Sequence, residues 1–150
     1  MIPDGTIPII AHAIQLAIAP VFLLTGIASL LGVMANRLAR VIDRARALEQ
    51  AWAQLDQPAR TAGLAEFRSL ERRRHLASWS INFSTCAALI VCVVIVTLFV
   101  EEFFQADLKW LAGGLFVCAM ISLICGLFSF LREVYLATLT VRIDLARFGG

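Results

Sequence analysis

Three long apolar runs alternate with arginine-rich segments along the chain. The runs cover residues 11–35, 77–100 and 110–131, and each can form a membrane-spanning helix, which needs about 20 apolar residues. A cytosolic antiparallel helical hairpin is predicted between the first two spans, over residues 36–76, and an amphipathic C-terminal helix over residues 132–150. The pattern therefore predicts an all-α integral membrane protein with three transmembrane helices, forming a single membrane domain over the whole chain.

An apolar stripe continues from the first span into the hairpin. Its positions are separated alternately by three and four residues, as in a heptad seam that packs against a partner helix. In the hairpin the stripe consists of Leu38, Val41, Ala45, Leu48, Trp52 and Leu55, and in the first span of Leu24, Ile27, Leu31 and Met34. This spacing predicts one continuous packing face from the lipid into the cytosol, in the manner of a coiled coil.

Small residues recur within two of the spans at a spacing of four. The row in the third span is Gly114, Cys118, Ser122 and Gly126, and the shorter row in the first span is Ala28 and Gly32. Such rows let two helix backbones approach closely, so that van der Waals packing drives helix association in lipid. The rows predict helix packing, and their spacing leaves open whether the partner helix belongs to the same chain or to a second copy.

The composition places the chain among membrane proteins. Hydrophobic residues make up 60% of the sequence and charged residues 16%, with a mean hydropathy of +0.83. In soluble domains about a quarter of the residues are charged. The net charge of +2 says little, because the positions of the charges matter more than their sum.

The arginines are all on one side of the predicted membrane. All twelve follow span one, precede span two or follow span three, whereas the other side carries Asp4, Glu101, Glu102, Asp107 and Lys109. By the positive-inside rule, the N-terminus is outside, and the hairpin and the C-terminus are cytosolic.

Charged residues near the inner ends of the spans have two interpretations. The set comprises Arg37, Arg40, Asp43, Arg44, Arg72, Arg73, Arg74, Arg132 and Glu133. Anionic lipid headgroups attract such basic residues by about 1 kcal/mol each, which accounts for most of the set. The alternative is an ion-pair layer, in which Asp43 pairs with Arg40 or Arg46 and Glu133 lies at the depth of Arg37. No nucleic-acid partner is expected, because the aromatic and polar residues that read bases are missing.

Polar residues in and beside the spans could line a pore or its vestibule. They are His12, Gln15, Asn82, Glu101 and Glu102, together with Pro20, which we expect to bend its helix. In an oligomer, the two glutamates would form a ring that concentrates cations. The sequence has no selectivity-filter motif, which favours an ordinary interface over a pore, and no charged residue deep in a span, which argues against a driven transporter.

No constellation of residues indicates an enzyme. The cysteines, Cys86, Cys92, Cys118 and Cys125, lie within the spans without CxxC spacing and are typical of packing residues. Phosphate-binding loops, the order of a catalytic triad and metalloprotease motifs are missing from the sequence. We therefore expect no catalytic residue, no metal site and no cofactor.

Several motifs together resemble a known family. They are Gln15, APVFLL at residues 19–24, NRLARVIDRAR at residues 36–46, the arginines at 72–74 and LREV at residues 131–134. In these motifs the chain resembles the bacterial membrane-protein family catalogued as domain of unknown function 2721, over most of its length. The resemblance implies a three-helix protein of the bacterial inner membrane. It implies no activity and no catalytic residues.

Two classes of function fit the sequence. The packing features favour a non-enzymatic, self-associating inner-membrane protein that binds membrane lipids and acts as a scaffold or accessory subunit beside a membrane-protein partner. The alternative is a homo-oligomeric ion channel with an acidic outer mouth. The mass of the detergent-extracted particle, combined with ion flux in liposomes, distinguishes the two.

Overall fold

Three long helices make up the regular structure of the described part of the chain. The computed structural model describes residues 6–52, 57–104 and 107–148. The helices are α1 (Thr6–Ala51), α2 (Gln57–Phe104) and α3 (Lys109–Phe148). Leu55 of the predicted seam lies outside the described residues, as do the side chains of the tail beyond Thr138.

Every helix extends beyond the span predicted for it. α1 runs without interruption through Pro20 and past the end of its apolar run to Ala51. The first residues of α2 belong to the predicted hairpin, so the hairpin segments are the ends of α1 and α2 and not separate helices. This continuity follows from the sequence, because no glycine or proline lies between residues 36 and 51 to stop α1. The predicted bend at Pro20 stays a prediction.

α3 begins where the backbone of Leu108 accepts its first helical hydrogen bond. The amide N–H of Ala112 donates to the carbonyl oxygen of Leu108 over 2.9 Å. From Lys109 the helix continues in one piece to Phe148, so the predicted tail helix is the end of α3. The amphipathic character of that tail remains a prediction, because its side chains beyond Thr138 are outside the described part of the chain.

The buried positions of α2 are mostly separated by three or four residues, whereas those of α1 from Ile27 onward and those of α3 are separated by seven. They include Ala17, Ile27, Met34 and Val41 on α1; Leu70, Ala77, Ser80, Ser84, Ala87, Val91 and Val94 on α2; and Ala112, Ala119, Gly126 and Glu133 on α3. On α3 these positions are seven residues apart, and small residues occupy three of the four. A period of seven keeps one face of a helix against its neighbours.

The chain divides into two compact units, each built from parts of all three helices. The first unit comprises Met1–Leu31 and Phe83–Ile124, and the second comprises Gly32–Asn82 and Cys125–Gly150. Within the first unit, the hydroxyl of Ser122 donates to the carbonyl oxygen of Phe83 over 2.9 Å, which joins α3 to α2.

Within the second unit, α1 and α2 run antiparallel. Arg44 pairs with Glu66, and Met34 accepts a hydrogen bond from Ser80, so positions move along the two helices in opposite directions. One of these contacts is charged and the other is polar. The buried apolar residues Val41 on α1 and Leu70 on α2 lie between them along the two helices.

Three helices are long and apolar enough to cross a membrane. The segments are Ile14–Ala51, Gly63–Phe104 and Lys109–Thr138. Most side chains in their most apolar stretches are not buried in the isolated chain, and large apolar ones such as Phe22, Leu89 and Phe128 are exposed. An apolar exposed surface of this extent indicates a multi-pass membrane protein, whose outer surface contacts lipid.

Candidate functional site

Glu133 is a buried carboxylate between two arginines. Only 1% of its side chain is exposed, although it lies just beyond the apolar run of α3. Both Nε and Nη2 of Arg73 donate to its Oε1 atom, at 3.3 and 3.1 Å. Charge-assisted hydrogen bonds of this kind offset much of the desolvation that burial imposes on a carboxylate. Arg73 thereby ties α2 to α3.

Arg37 approaches the same carboxylate from α1. Its Nε atom is 3.6 Å from Oε2 of Glu133, which is an ion pair but is too long for a hydrogen bond. The Oε2 atom has no hydrogen-bond partner among the residues that the structure describes. The guanidinium of Arg37 also lies over the ring of Phe130, 5.5 Å from its centroid, within the range of a cation–π contact. All three helices of the second unit therefore meet at Glu133.

A second polar contact lies at Met34, about one helical turn before Arg37 on α1. Ser80 and Met34 are both buried, and the hydroxyl of Ser80 donates to the thioether sulfur of Met34 over 3.1 Å. Sulfur is a weak acceptor, but in a dry interior it satisfies a hydroxyl that would otherwise lack a partner. The packed face of the second unit is therefore polar at selected positions and not uniformly aliphatic.

An arginine-lined cavity of about 430 Å³ opens in the second unit. Its lining comprises Val33, Asn36, Arg37, Arg40, Val41, Arg44, Leu70 and Arg73. We call it the arginine cavity. Arg44 is held by Glu66, with 2.8 Å between its Nε and Oε1 of the glutamate. Arg40 forms no ion pair with any residue that the structure describes.

A larger cavity, of about 760 Å³, lies in the first unit. We call it the acidic cavity, because its polar lining includes Glu101, Glu102 and Asp107, opposed by Lys109 and His12. The Oε2 atom of Glu101 is buried without a hydrogen-bond partner among the described residues. The apolar part of the lining includes Pro20 from α1 and Val94 from α2.

The comparison with protein families decides what the chain is related to. A family model described as "Protein of unknown function (DUF2721)" matches residues 17–143. The chain belongs to this family. The resemblance predicted from the sequence motifs is therefore confirmed. No curated protein and no solved structure matches the chain.

The small-residue rows of this DUF2721 protein are mostly outside its packed faces. Gly114 and Cys118 are exposed, Ser122 is half-buried and Gly126 is buried. In a helix of 3.6 residues per turn, each step of four rotates the row by about 40°, so the row crosses from the exposed to the packed side of α3. Ala28 and Gly32 of the first span are also exposed. Within the chain, the close packing of α3 uses Ala112 and Ala119 instead.

The seam of α1 has low exposure along its described length. Met34 and Val41 are buried, and the remaining hairpin members are half-buried, namely Leu38, Ala45, Leu48 and Trp52. The seam residues are therefore less exposed than the arginines between them, since Arg40, Arg44 and Arg46 are exposed.

The charged set near the span ends divides into paired and exposed residues. Arg37, Arg73 and Glu133 meet in one cluster, as described above. Asp43 forms no ion pair with a described residue, and its pairing with Arg40 or Arg46 stays a prediction. An exposed ion pair on one helix surface gains little free energy in water, so little favours contact between the two side chains. Arg72, Arg74 and Arg132 are exposed as well.

The residues predicted for a vestibule are brought together in part. His12, Pro20, Glu101 and Glu102 line the acidic cavity. Gln15 is exposed and lies outside that lining, and Asn82 is exposed in the other unit.

Some polar residues of the packed faces were not singled out from the sequence. They are Ser80, Ser84 and Thr97, all buried on α2. Only their spacing in the sequence could have indicated that they are buried, because each falls on or beside the row of α2 residues separated alternately by three and four positions. Arg73 was predicted as one of several basic residues, but its pairing with Glu133 was not foreseen.

Proposed function

We propose that this protein is a non-enzymatic, self-associating membrane protein that acts as a scaffold or accessory subunit of a membrane complex. One observation carries the proposal. Among the described residues, apart from the chain neighbours and the adjacent backbone of the same helix, no atom lies within 4 Å of a Cβ atom placed on Gly32 or on Gly114, and both glycines are exposed. The exposed members of the two rows, Ala28 and Gly32 on α1 and Gly114 and Cys118 on α3, are therefore open to a helix from outside the chain.

The chemistry of the rows supports a helix as the occupant. Lipid tails pack against branched and aromatic side chains as well as against small ones, so a row of small residues brings no advantage in lipid contact. It does let another helix backbone approach closely, with gains in van der Waals contact. Since α3 packs within its own chain through a different row, Gly114 and Cys118 are available for contact with a second copy.

The test is the mass of the full-length protein in a mild detergent. We expect an oligomer, and the variant Gly32→Leu should weaken it by about tenfold in its dissociation constant, because the leucine separates the two backbones. Gly26→Leu is the matched control, since Gly26 is also exposed on α1 with open space at its Cβ position but is not part of the row. A monomeric wild type, or equal effects of the two variants, would contradict the proposal.

The proposed setting is a bacterial inner membrane, with the N-terminus outside and the C-terminus in the cytosol. The distribution of the twelve arginines supports this orientation. In that orientation, the basic ends of α1 and α2 are beside the anionic lipid of the inner leaflet, so membrane lipids are partners as well.

A homo-oligomeric ion channel is the second candidate. The acidic cavity favours it, because Glu101, Glu102 and Asp107 together attract cations at the end of an apolar span. Flux measurements in liposomes separate the two functions. Cation flux that is reduced by Glu101→Gln, with the oligomer intact, would favour the channel, whereas an oligomer without flux would favour the scaffold.

A further inference from the structure

We propose that the arginine cavity binds a phosphate group. The first argument is charge. The cavity is lined by the side chains of Arg37, Arg40, Arg44 and Arg73, which form ion pairs with only two carboxylates among the described residues, Glu66 and Glu133. At least two positive charges are left over, and a phosphate group carries one or two negative charges.

The second argument is geometry. Arg37 and Arg73 are partly buried, with 34% and 21% of their side chains exposed, and Glu133 holds both. Glu133 thus acts as a positioning residue for the guanidinium groups of Arg37 and Arg73, whereas Glu66 contacts Arg44 at an exposed position. Planar guanidinium groups recognise phosphate oxygens through paired N–H donors. Because the groups of Arg37 and Arg73 are already fixed, little of their side-chain entropy is lost when an anion enters.

Of the four arginines that line the cavity, Arg40 is the one without a carboxylate partner among the described residues. It forms no ion pair among the described residues, although it lines the cavity between Arg37 and Arg44 on the same face of α1. The side-chain amide of Asn36 offers a further donor nearby. With a volume of about 430 Å³, the cavity falls in the range of ligand pockets, which is about 300–1,000 Å³.

Two sources could supply the phosphate group, a lipid headgroup or a soluble phosphate. The lining is apolar at one end, where Val33 belongs to the apolar run of α1 and is 52% exposed. The arginines follow it along the helix, away from that run. In a phospholipid, too, an apolar chain is followed by a charged phosphate, so a lipid matches this lining in its chemistry. The experiment below therefore uses one lipid probe and one soluble probe. The inference does not depend on self-association.

The experiment uses the full-length protein in a non-ionic detergent with two probes. Native mass spectrometry measures binding of dioctanoyl phosphatidylglycerol, and calorimetry measures binding of inorganic phosphate. Arg40→Gln removes the unpaired cation without breaking an ion pair, so the fold should be retained, as its thermal unfolding midpoint will show. Arg46→Gln is the matched control, because Arg46 is an exposed arginine on the same helix outside the cavity lining.

We expect Arg40→Gln to weaken binding of at least one probe by about tenfold or more, as loss of one charge-assisted contact predicts. Arg46→Gln should leave the same binding within about twofold, as an exposed charge contributes little. A loss confined to phosphatidylglycerol identifies a lipid phosphate as the ligand, and a loss confined to inorganic phosphate identifies a soluble one. If neither probe binds, or if the two variants behave alike towards both probes, the proposal is wrong.

Discussion

Nη2 of Arg73 lies 3.1 Å from Oε1 of Glu133, although 60 positions of sequence separate the two residues. The glutamate is almost fully buried, whereas the arginine retains contact with solvent. The pair therefore joins α2 to α3 at the point where each helix leaves its apolar run. Its loss should affect stability more than the loss of an exposed pair.

The first prediction concerns the carboxylate of that pair. Glu133→Gln should lower the free energy of unfolding by about 1–3 kcal/mol, because the two arginines lose a charged acceptor in a buried setting. Glu66→Gln is the control, since Glu66 pairs with Arg44 at an exposed position, and it should cost less than about 1 kcal/mol. Unfolding in mixed detergent micelles, followed by tryptophan fluorescence, measures both. Equal losses would show that burial of Glu133 has no energetic consequence.

A second prediction concerns the close approach of α3 to its neighbours. Ala119 is fully buried, with 0% exposure, so Ala119→Leu inserts a large side chain where no space exists. The variant should be destabilised by about 1–3 kcal/mol, the usual cost of overpacking. Val117→Leu, at a position with 57% exposure two residues away, should change stability very little. A tolerated leucine at position 119 would mean that α3 does not pack through this row.

The half-buried seam at the end of α1 supports a third prediction. Leu48→Asp places a charge on the packed face and should destabilise the protein by about 1–3 kcal/mol. Ala47→Asp introduces the same charge at the adjacent, exposed position and should have an effect within about 0.5 kcal/mol. The comparison uses thermal unfolding and size-exclusion chromatography of the two variants. Identical behaviour would show that the seam at Leu48 is not packed against α2.

The fourth prediction tests the proposed orientation. Phe104 is 77% exposed at the end of α2, on the side that carries few basic residues. In a variant whose four native cysteines are replaced by alanine, Phe104→Cys should react with a membrane-impermeant maleimide in intact cells. Arg72→Cys, at an exposed position among the arginines, should react only after the cells are broken. The reverse pattern would overturn the orientation.

The sequence is sufficient to predict where the helices are and which face of α1 is packed. Both follow from long-range patterns, the length of the apolar runs and the alternating spacing of three and four residues. Such patterns average over many positions, so single exceptions, such as Pro20 inside α1, do not hide them.

Contacts between helices were harder to predict, as the case of Glu133 illustrates. The ends of the apolar runs placed Arg37 and Glu133 at a similar depth, and the structure brings them within 3.6 Å. The choice of Arg73 over its neighbour Arg72 depends on how α2 is rotated about its axis, since adjacent residues on a helix point about 100° apart. That rotation is fixed by buried residues such as Ser80, whose hydrogen-bond partner, Met34, lies on α1.

Glu133 belongs to the last of the three helices to be synthesised. A ribosome makes the chain from the N-terminus, so the guanidinium groups of Arg37 and Arg73 have already been translated when this carboxylate emerges. The order of helices in the gene thus provides the counter-ions before the anion that needs them. A circular permutant translated from α3 onward would deliver the anion before either counter-ion.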